Sequence, residues 1–395
     1  MRRIHVLAAT LLLLPLPAVA CLWDYDTLAS EAKGLPDVVR VITGRFERNP
    51  PLYYEMRLAR VAKRIEEEPG DLAAYDDAGV ACDRLGRDDE AIAWMEKKRA
   101  RLDHLDPSAE EAREHRYRYL ANLGTFHAHR WFRAGADRSK PDDMKTGRDL
   151  IAEAIRLKPD AHFGREKYQL MAMEWILDDS KEKHDVFYNP MDKSTPPAEA
   201  VKGLTGLIVL GNAWESIDVF NSLTMAFVAD RVRTSMAEFS KLRAEELASQ
   251  GHTSLVRRDP AFGDTAYVRY HEGYLPYPEV VEAAFLRLRR EADTWHLKRT
   301  AYMMARLKEG RHPDTDPTFW KDFQDDGPPG LPDAQSMQAK IRTYYYPEPS
   351  WEAWAVIGLA WVGAGALAWN GFVLTRRLVR TVRARKARRA DDRLA

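Results

Sequence analysis

Residues 353–375 contain no charged side chain and only one strongly polar one, Asn370, across 23 positions. As a helix this run would extend about 34 Å, enough for a hydrocarbon core of about 30 Å. Trp354 and Trp361 lie toward one end and Trp369 near the other, where interfacial aromatics concentrate. Nine Arg and Lys residues then follow within the last 20 positions, beginning at Arg376 and Arg377. Translocating that cluster is costly, so the reading is a stop-transfer helix over 352–375 with a cytoplasmic basic tail over 376–395.

Residues 1–20 complete the topology. Arg2, Arg3 and His5 precede an apolar run from Val6 to Leu16, and Ala18-Val19-Ala20 supplies a small-residue cleavage site. The run is too short to span a bilayer, which needs about 20 residues, and it reads as an export signal. The expected protein is therefore a single-pass bacterial inner-membrane protein. Its N-terminal body faces the periplasm, its C-terminus is cytoplasmic, and 353–375 contact the lipid bilayer. None of the six Asn residues begins an N-x-[ST] sequence, which argues against a glycosylating secretory pathway. Ala18-Val19-Ala20-Cys21 also resembles a bacterial lipoprotein box, with Ala18 where that box usually carries Leu. Cys21 is thus a candidate for lipidation, and ordinary cleavage before it is the alternative.

The formal net charge is zero, yet this balance comes from the ends. Residues 21–375 hold 49 basic and 58 acidic side chains, a net of −9. That sign gives no support to a nucleic-acid partner.

Strict alternation is scarce in the exported region, whereas apolar residues recur at spacings of three and four, so an all-α body is expected. Leu52, Met56, Ala59 and Ile65 trace one face of a helix that opens at Pro51 and ends at Pro69-Gly70. Val281, Phe285, Leu288, Ala292 and Trp295 begin another, which continues through Met303 and Leu307 to a stop at Gly310. The uncharged run from Gly203 to Trp214 reads as a buried helix. Seven prolines between 311 and 350 suggest an irregular tether over 311–351.

Residues 69–99 carry a spaced set: Tyr75, Ala78-Gly79, Leu85-Gly86, Ala91 and Met95. Gly79 and Ala91 remove bulk where two helices cross closely, and Gly86 permits a tight turn between them. This set resembles the tetratricopeptide repeat, a 34-residue antiparallel helix pair. Lys98 and Asp103 depart from it, standing where the repeat has a small residue and a proline. A second, interrupted copy is suggested by Leu123-Gly124 with Ile151, Ala154 and Pro159. Gly124 and Ala154 are about eleven residues too far apart, and the insertion is assigned to the polar stretch around 137–143. Leu210-Gly211 with Trp214 suggests a weaker third.

The resemblance implies a solenoid of antiparallel helix pairs over 21–250, followed by an additional helical segment over 251–310. It also implies a groove lined by the first helices that docks a protein or peptide of the cell envelope. The corresponding positions here are Ala73, Asp76, Val80 and Asp83. Two acids in place of carboxylate-clamping cations point to a basic or apolar partner.

Chemistry is thinly represented. No HExxH, zinc-spaced Cys/His set, phosphate loop or G-x-S-x-G elbow occurs, so no cofactor, metal or catalytic residue is expected. His127 and His129, two apart, read as helix-surface residues. An envelope enzyme or substrate-binding subunit built on the Tyr- and His-rich 262–300 region, around Tyr267, Tyr270, His271 and Glu272, is the alternative function. Cys82 reads as a buried packing residue, with a Cys21–Cys82 bridge as the alternative.

Overall fold

The computed structural model describes residues 38–159, 164–178, 186–188, 195–229, 234–255, 278–325 and 327. The expected export segment 1–20, Cys21, the Tyr-rich stretch 267–277 and everything from 328 onward lie outside the described residues, including 353–375 and the basic tail. Among the described residues there are eleven α-helices and no strand. They are α1 (Val38–Thr43), α2 (Pro51–Glu67), α3 (Leu72–Arg84), α4 (Asp88–Leu102), α5 (Glu110–Arg133) and α6 (Asp142–Leu157), then α7 (Arg165–Leu177), α8 (Pro197–Val209), α9 (Ile217–Ala229), α10 (Thr234–Ser249) and α11 (Pro278–Lys308). No described helix is long and apolar enough to cross a membrane.

Local chemistry sets the helix ends. Pro51 occupies the first turn of α2, where its fixed φ and missing N–H cost nothing. The Asp71 side chain caps α3 by accepting from the Ala74 amide at 3.3 Å. Asp88, Asp89 and Glu90 begin α4, and Arg99 and Arg101 end it, each sign opposing the nearby end of the helix dipole. Gly86 turns the chain between α3 and α4 at φ +72°, a conformation that disfavours side chains.

From α2 to α11 each helix packs on the next, and α3 also packs on α5. One smaller apolar cluster and two large cores result. One joins α2 to α6 through Val61, Tyr75, Ala78, Met95, Leu123, Phe126 and Ala154. The other joins α1 and α7 to α11 through Ile42, Tyr168, Leu204, Trp214, Phe220, Phe239 and Phe285.

The chain then returns on itself. α11 packs on α1 and α2 as well as α10, so it belongs with the rest of the body and is not a separate appendage. The residues after it do the same. Arg57 on α2 grips Asp314 with two parallel bonds, Nε to Oδ2 at 2.8 Å and NH2 to Oδ1 at 2.7 Å. Arg60 bonds the same carboxylate, and the Tyr53 ring stacks on His312 at 4.5 Å. Phe319 is buried with Tyr53, Met303 and Leu307. The expected tether over 311–351 is therefore corrected for its first part. Residues 311–325 dock because aromatic and acidic side chains between the prolines find partners on α2 and α11.

This closure makes stability acid-sensitive. Burial pushes the Asp314 carboxyl up, but Arg57, Arg60 and His312 outweigh it and hold it at about 2. An unfolded Asp titrates near about 3.9, so a lowered folded value stabilises above pH ~4 and is lost as pH falls toward about 2. The contribution is about 2 kcal/mol. Chemical unfolding at stepped pH should show that decline between pH 4 and 2, and a shallower one in Asp314→Asn.

Candidate functional site

The spaced residues of 69–99 meet between α3 and α4. Tyr75 is buried, donates its hydroxyl to the Pro69 carbonyl at 3.1 Å, and packs edge-on against Trp94. A Cβ on Gly79 would lie 2.9 Å from Met95 Cε and 3.0 Å from Phe126 Cε2, so this glycine admits both α4 and α5. Ala91 and Met95 are fully buried opposite it.

In the second hairpin Leu123, Ile151 and Ala154 are buried, and Pro159 is exposed just beyond α6. The crossing itself is made by Gly124 and Gly147. A Cβ on Gly124 would lie 2.9 Å from the Gly147 carbonyl oxygen, and one on Gly147 2.7 Å from that of Gly124. Gly79 and Ala91 are twelve positions apart, whereas Gly124 and Gly147 are twenty-three apart. The eleven-residue insertion is therefore not confined to 137–143. It lengthens the end of α5, the start of α6 and the loop between them.

The suggested third copy is also corrected. Leu210 caps the end of α8 through its amide, at 2.9 Å from the Gly206 carbonyl. Trp214 sits in a short 3-10 helix, Ala213–Glu215. The α7–α8 crossing instead uses Gly203, over which the Tyr168 ring lies directly.

The four expected groove positions do not form an open surface. Ala73 is exposed, but Asp76, Val80 and Asp83 are buried. Fourteen residues of α5 precede Gly124, against seven of α3 before Gly79. The added turns of α5 bring His115 and Tyr117 alongside α3 and α7.

A polar lattice fills this interior. Lys98 is fully buried and its ammonium lies 2.7 Å from both oxygens of Asp76. Asn122 on α5 donates to the same carboxylate at 3.0 Å. Burial pushes the Asp76 carboxyl up and the Lys98 ammonium down, and the attraction between them opposes both. Seven residues further along both helices the arrangement repeats, with Asp83 2.6 Å from His129 Nδ1 and 3.1 Å from Arg133. Burial raises the Asp83 carboxyl, yet His129 and Arg133 prevail and hold it at about 2. His129 is thus fully buried, not a surface residue, while His127 is half-buried against Asp143 at 2.8 Å. Between α5 and α7, Tyr117 donates to Glu166 at 2.7 Å and Gln169 to Thr125 at 3.1 Å.

The lattice holds helices in register and leaves little room for a ligand. Each carboxylate in it has a cationic or hydroxyl partner and all its members but Arg133 are buried, which fits structural specification better than turnover. Cys82 is a free, buried thiol raised to about 12, first by burial and then by Glu90, and is a packing residue with little thiolate character.

An open feature lies between α2 and α4. Leu58, Ala59 and Ala62 on α2 and Trp94 on α4 form the apolar part of a notch of about 480 Å³, rimmed by Glu55, Glu90 and Arg87. Sequence reasoning missed it, because its two walls are not neighbours in the repeat pattern. No family model matches the chain, and no curated protein or solved structure is significantly similar to it.

Proposed function

We propose that this protein is a membrane-anchored, tetratricopeptide-like scaffold whose helical body faces the periplasm and docks an envelope protein. The observation that carries the reading is the paired crossing of small residues, Gly79 against Met95 and Phe126 and Gly124 against Gly147. These join successive helix hairpins whose first helices α3 and α5 pack side by side. Such stacking is the geometry by which helical repeats present extended binding surfaces. The anchor is 353–375, and the arginines that follow would hold the tail in the cytoplasm.

The docking surface is the notch between α2 and α4. An apolar floor rimmed by the carboxylates of Glu55 and Glu90 and the single guanidinium of Arg87 leaves a net negative edge that suits a short partner segment carrying apolar side chains and a Lys or Arg. The −9 balance of residues 21–375 would favour encounter with the same kind of segment.

A photocrosslinking residue placed at Ala59, which is exposed on α2, tests this in intact cells. A discrete adduct is expected, reduced several-fold by the double charge reversal Glu55→Lys and Glu90→Lys. No adduct above that from a crosslinker at exposed Lys308 on α11, or one indifferent to the charge reversal, would refute the docking surface.

A further inference from the structure

Around Trp214 the body gathers more guanidinium than its carboxylates engage. The Arg243 guanidinium stands 3.8 Å from the indole centre, that of Arg48 5.1 Å and that of Arg289 5.5 Å. Two of the three are neutralised. Arg289 bonds Glu246 at 3.0 Å and Asp293 at 2.8 Å and donates to the Thr43 carbonyl. Arg243 reaches the same Glu246 at 2.7 Å.

Arg48 has no such partner among the described residues. Its one hydrogen bond is a long contact to the Gly44 carbonyl at 3.4 Å, and otherwise it lies over the Phe46 and Trp214 rings. Asp293 and Glu215 are the acids whose fields reach it, but Asp293 is held by Arg289 and neither bonds Arg48. Four buried nitrogens in this neighbourhood have no hydrogen-bond partner among the described residues: Arg48 Nε, Arg243 Nε and NH1, and His296 Nδ1. A guanidinium stays protonated in a protein, and stacking on an aromatic face recovers only about 0.5–2 kcal/mol. Arg48 is half-buried with its Nε shut off from water, and a partly desolvated charge with no carboxylate partner favours a counter-ion.

We propose that Arg48, Arg243 and His296, framed by Trp214 and Arg289, bind a small oxyanion of the phosphate or phosphate-ester class. The planar forks of two arginines match tetrahedral oxyanions better than a spherical halide. The electrostatics point the same way. Arg48 is pushed down to about 10 by burial and then by Arg243 and Arg289. His296 is pushed down to about 4 by burial and then by Arg48 and Arg299. A bound anion relieves the repulsive part of both shifts, which adds to the larger effect of burial. The site stands apart from the α2–α4 notch, and its test does not depend on docking there.

The experiment is thermal unfolding of the full chain in detergent, at fixed pH and ionic strength. Chloride is exchanged stepwise for inorganic phosphate or, in a second arm, for glycerol phosphate. A saturable rise in the melting midpoint of several degrees is expected with phosphate. An equal or larger rise with glycerol phosphate identifies a phosphate-ester headgroup as the source, and a smaller one identifies the free ion. Arg48→Gln should abolish the phosphate dependence, and Arg48→Lys should weaken apparent binding about tenfold. If Arg48→Gln does not fold, Arg48→Lys and His296→Gln decide the matter by the same shift in half-saturation. Equal midpoints in chloride and phosphate, or a phosphate response unchanged in the Arg48 and His296 variants, would overturn the proposal.

Discussion

Truncation of Lys98 to alanine is expected to destabilise the body by about 3–5 kcal/mol. Both oxygens of Asp76 are bonded to the Lys98 ammonium, and removal of the lysine leaves that carboxylate with Asn122 alone at hydrogen-bond distance. His115 stands 3.9 Å away, too far to replace the ammonium. The loss reflects an unpaired buried charge more than the net strength of the pair, because desolvating both ions offsets much of their attraction. Replacing both partners at once, Asp76→Leu with Lys98→Met, should therefore recover most of the stability. Urea unfolding followed by circular dichroism measures both. A loss below about 1 kcal/mol in Lys98→Ala would mean the ammonium reaches water, contrary to the burial described.

The second large effect concerns backbone approach in place of charge. Gly147→Ala would place a methyl 2.7 Å from the Gly124 carbonyl oxygen, a contact relieved only by moving one helix. Alanine in place of glycine gains about 1 kcal/mol of helix propensity, while overpacking of this kind costs about 1–3 kcal/mol. The expected net change is a loss of about 1–2 kcal/mol for alanine and more for Gly147→Leu. Gly70→Ala serves as the control, since a Cβ there meets nothing within 4 Å, and it should stay within about 0.5 kcal/mol of the parent. A stabilised Gly147→Ala would show that α5 and α6 do not cross at these two glycines.

Several elements of this architecture are legible in the sequence because they rest on local rules. Pro51 and Gly310 bound α2 and α11 almost where the pattern places them. Tyr75, Gly79, Gly86, Ala91 and Met95 pack as a helix hairpin because their spacing alone selects that geometry. Gly147 escaped notice because eleven extra residues displace it from the expected offset, and a lone glycine in a helix carries no label. Lys98 read as a departure from the repeat. In the folded body it is the partner of Asp76, a relation between α3 and α4 that no single-helix periodicity encodes. Asp76 and Asp83 read as groove residues because the pattern takes the next helix to be of ordinary length; the added turns of α5 cover them. The docking of 311–325 was hidden by proline content, which describes the backbone and says nothing of Asp314 meeting Arg57 more than 250 positions away.

The proposed membrane topology is tested most directly by protease applied to cells with a permeabilised outer membrane and an intact inner one, with an epitope fused after Ala395. The account predicts that the helical body is digested while a short fragment spanning the apolar segment and the tagged arginine-rich tail survives. Loss of the tag with the body protected would contradict it.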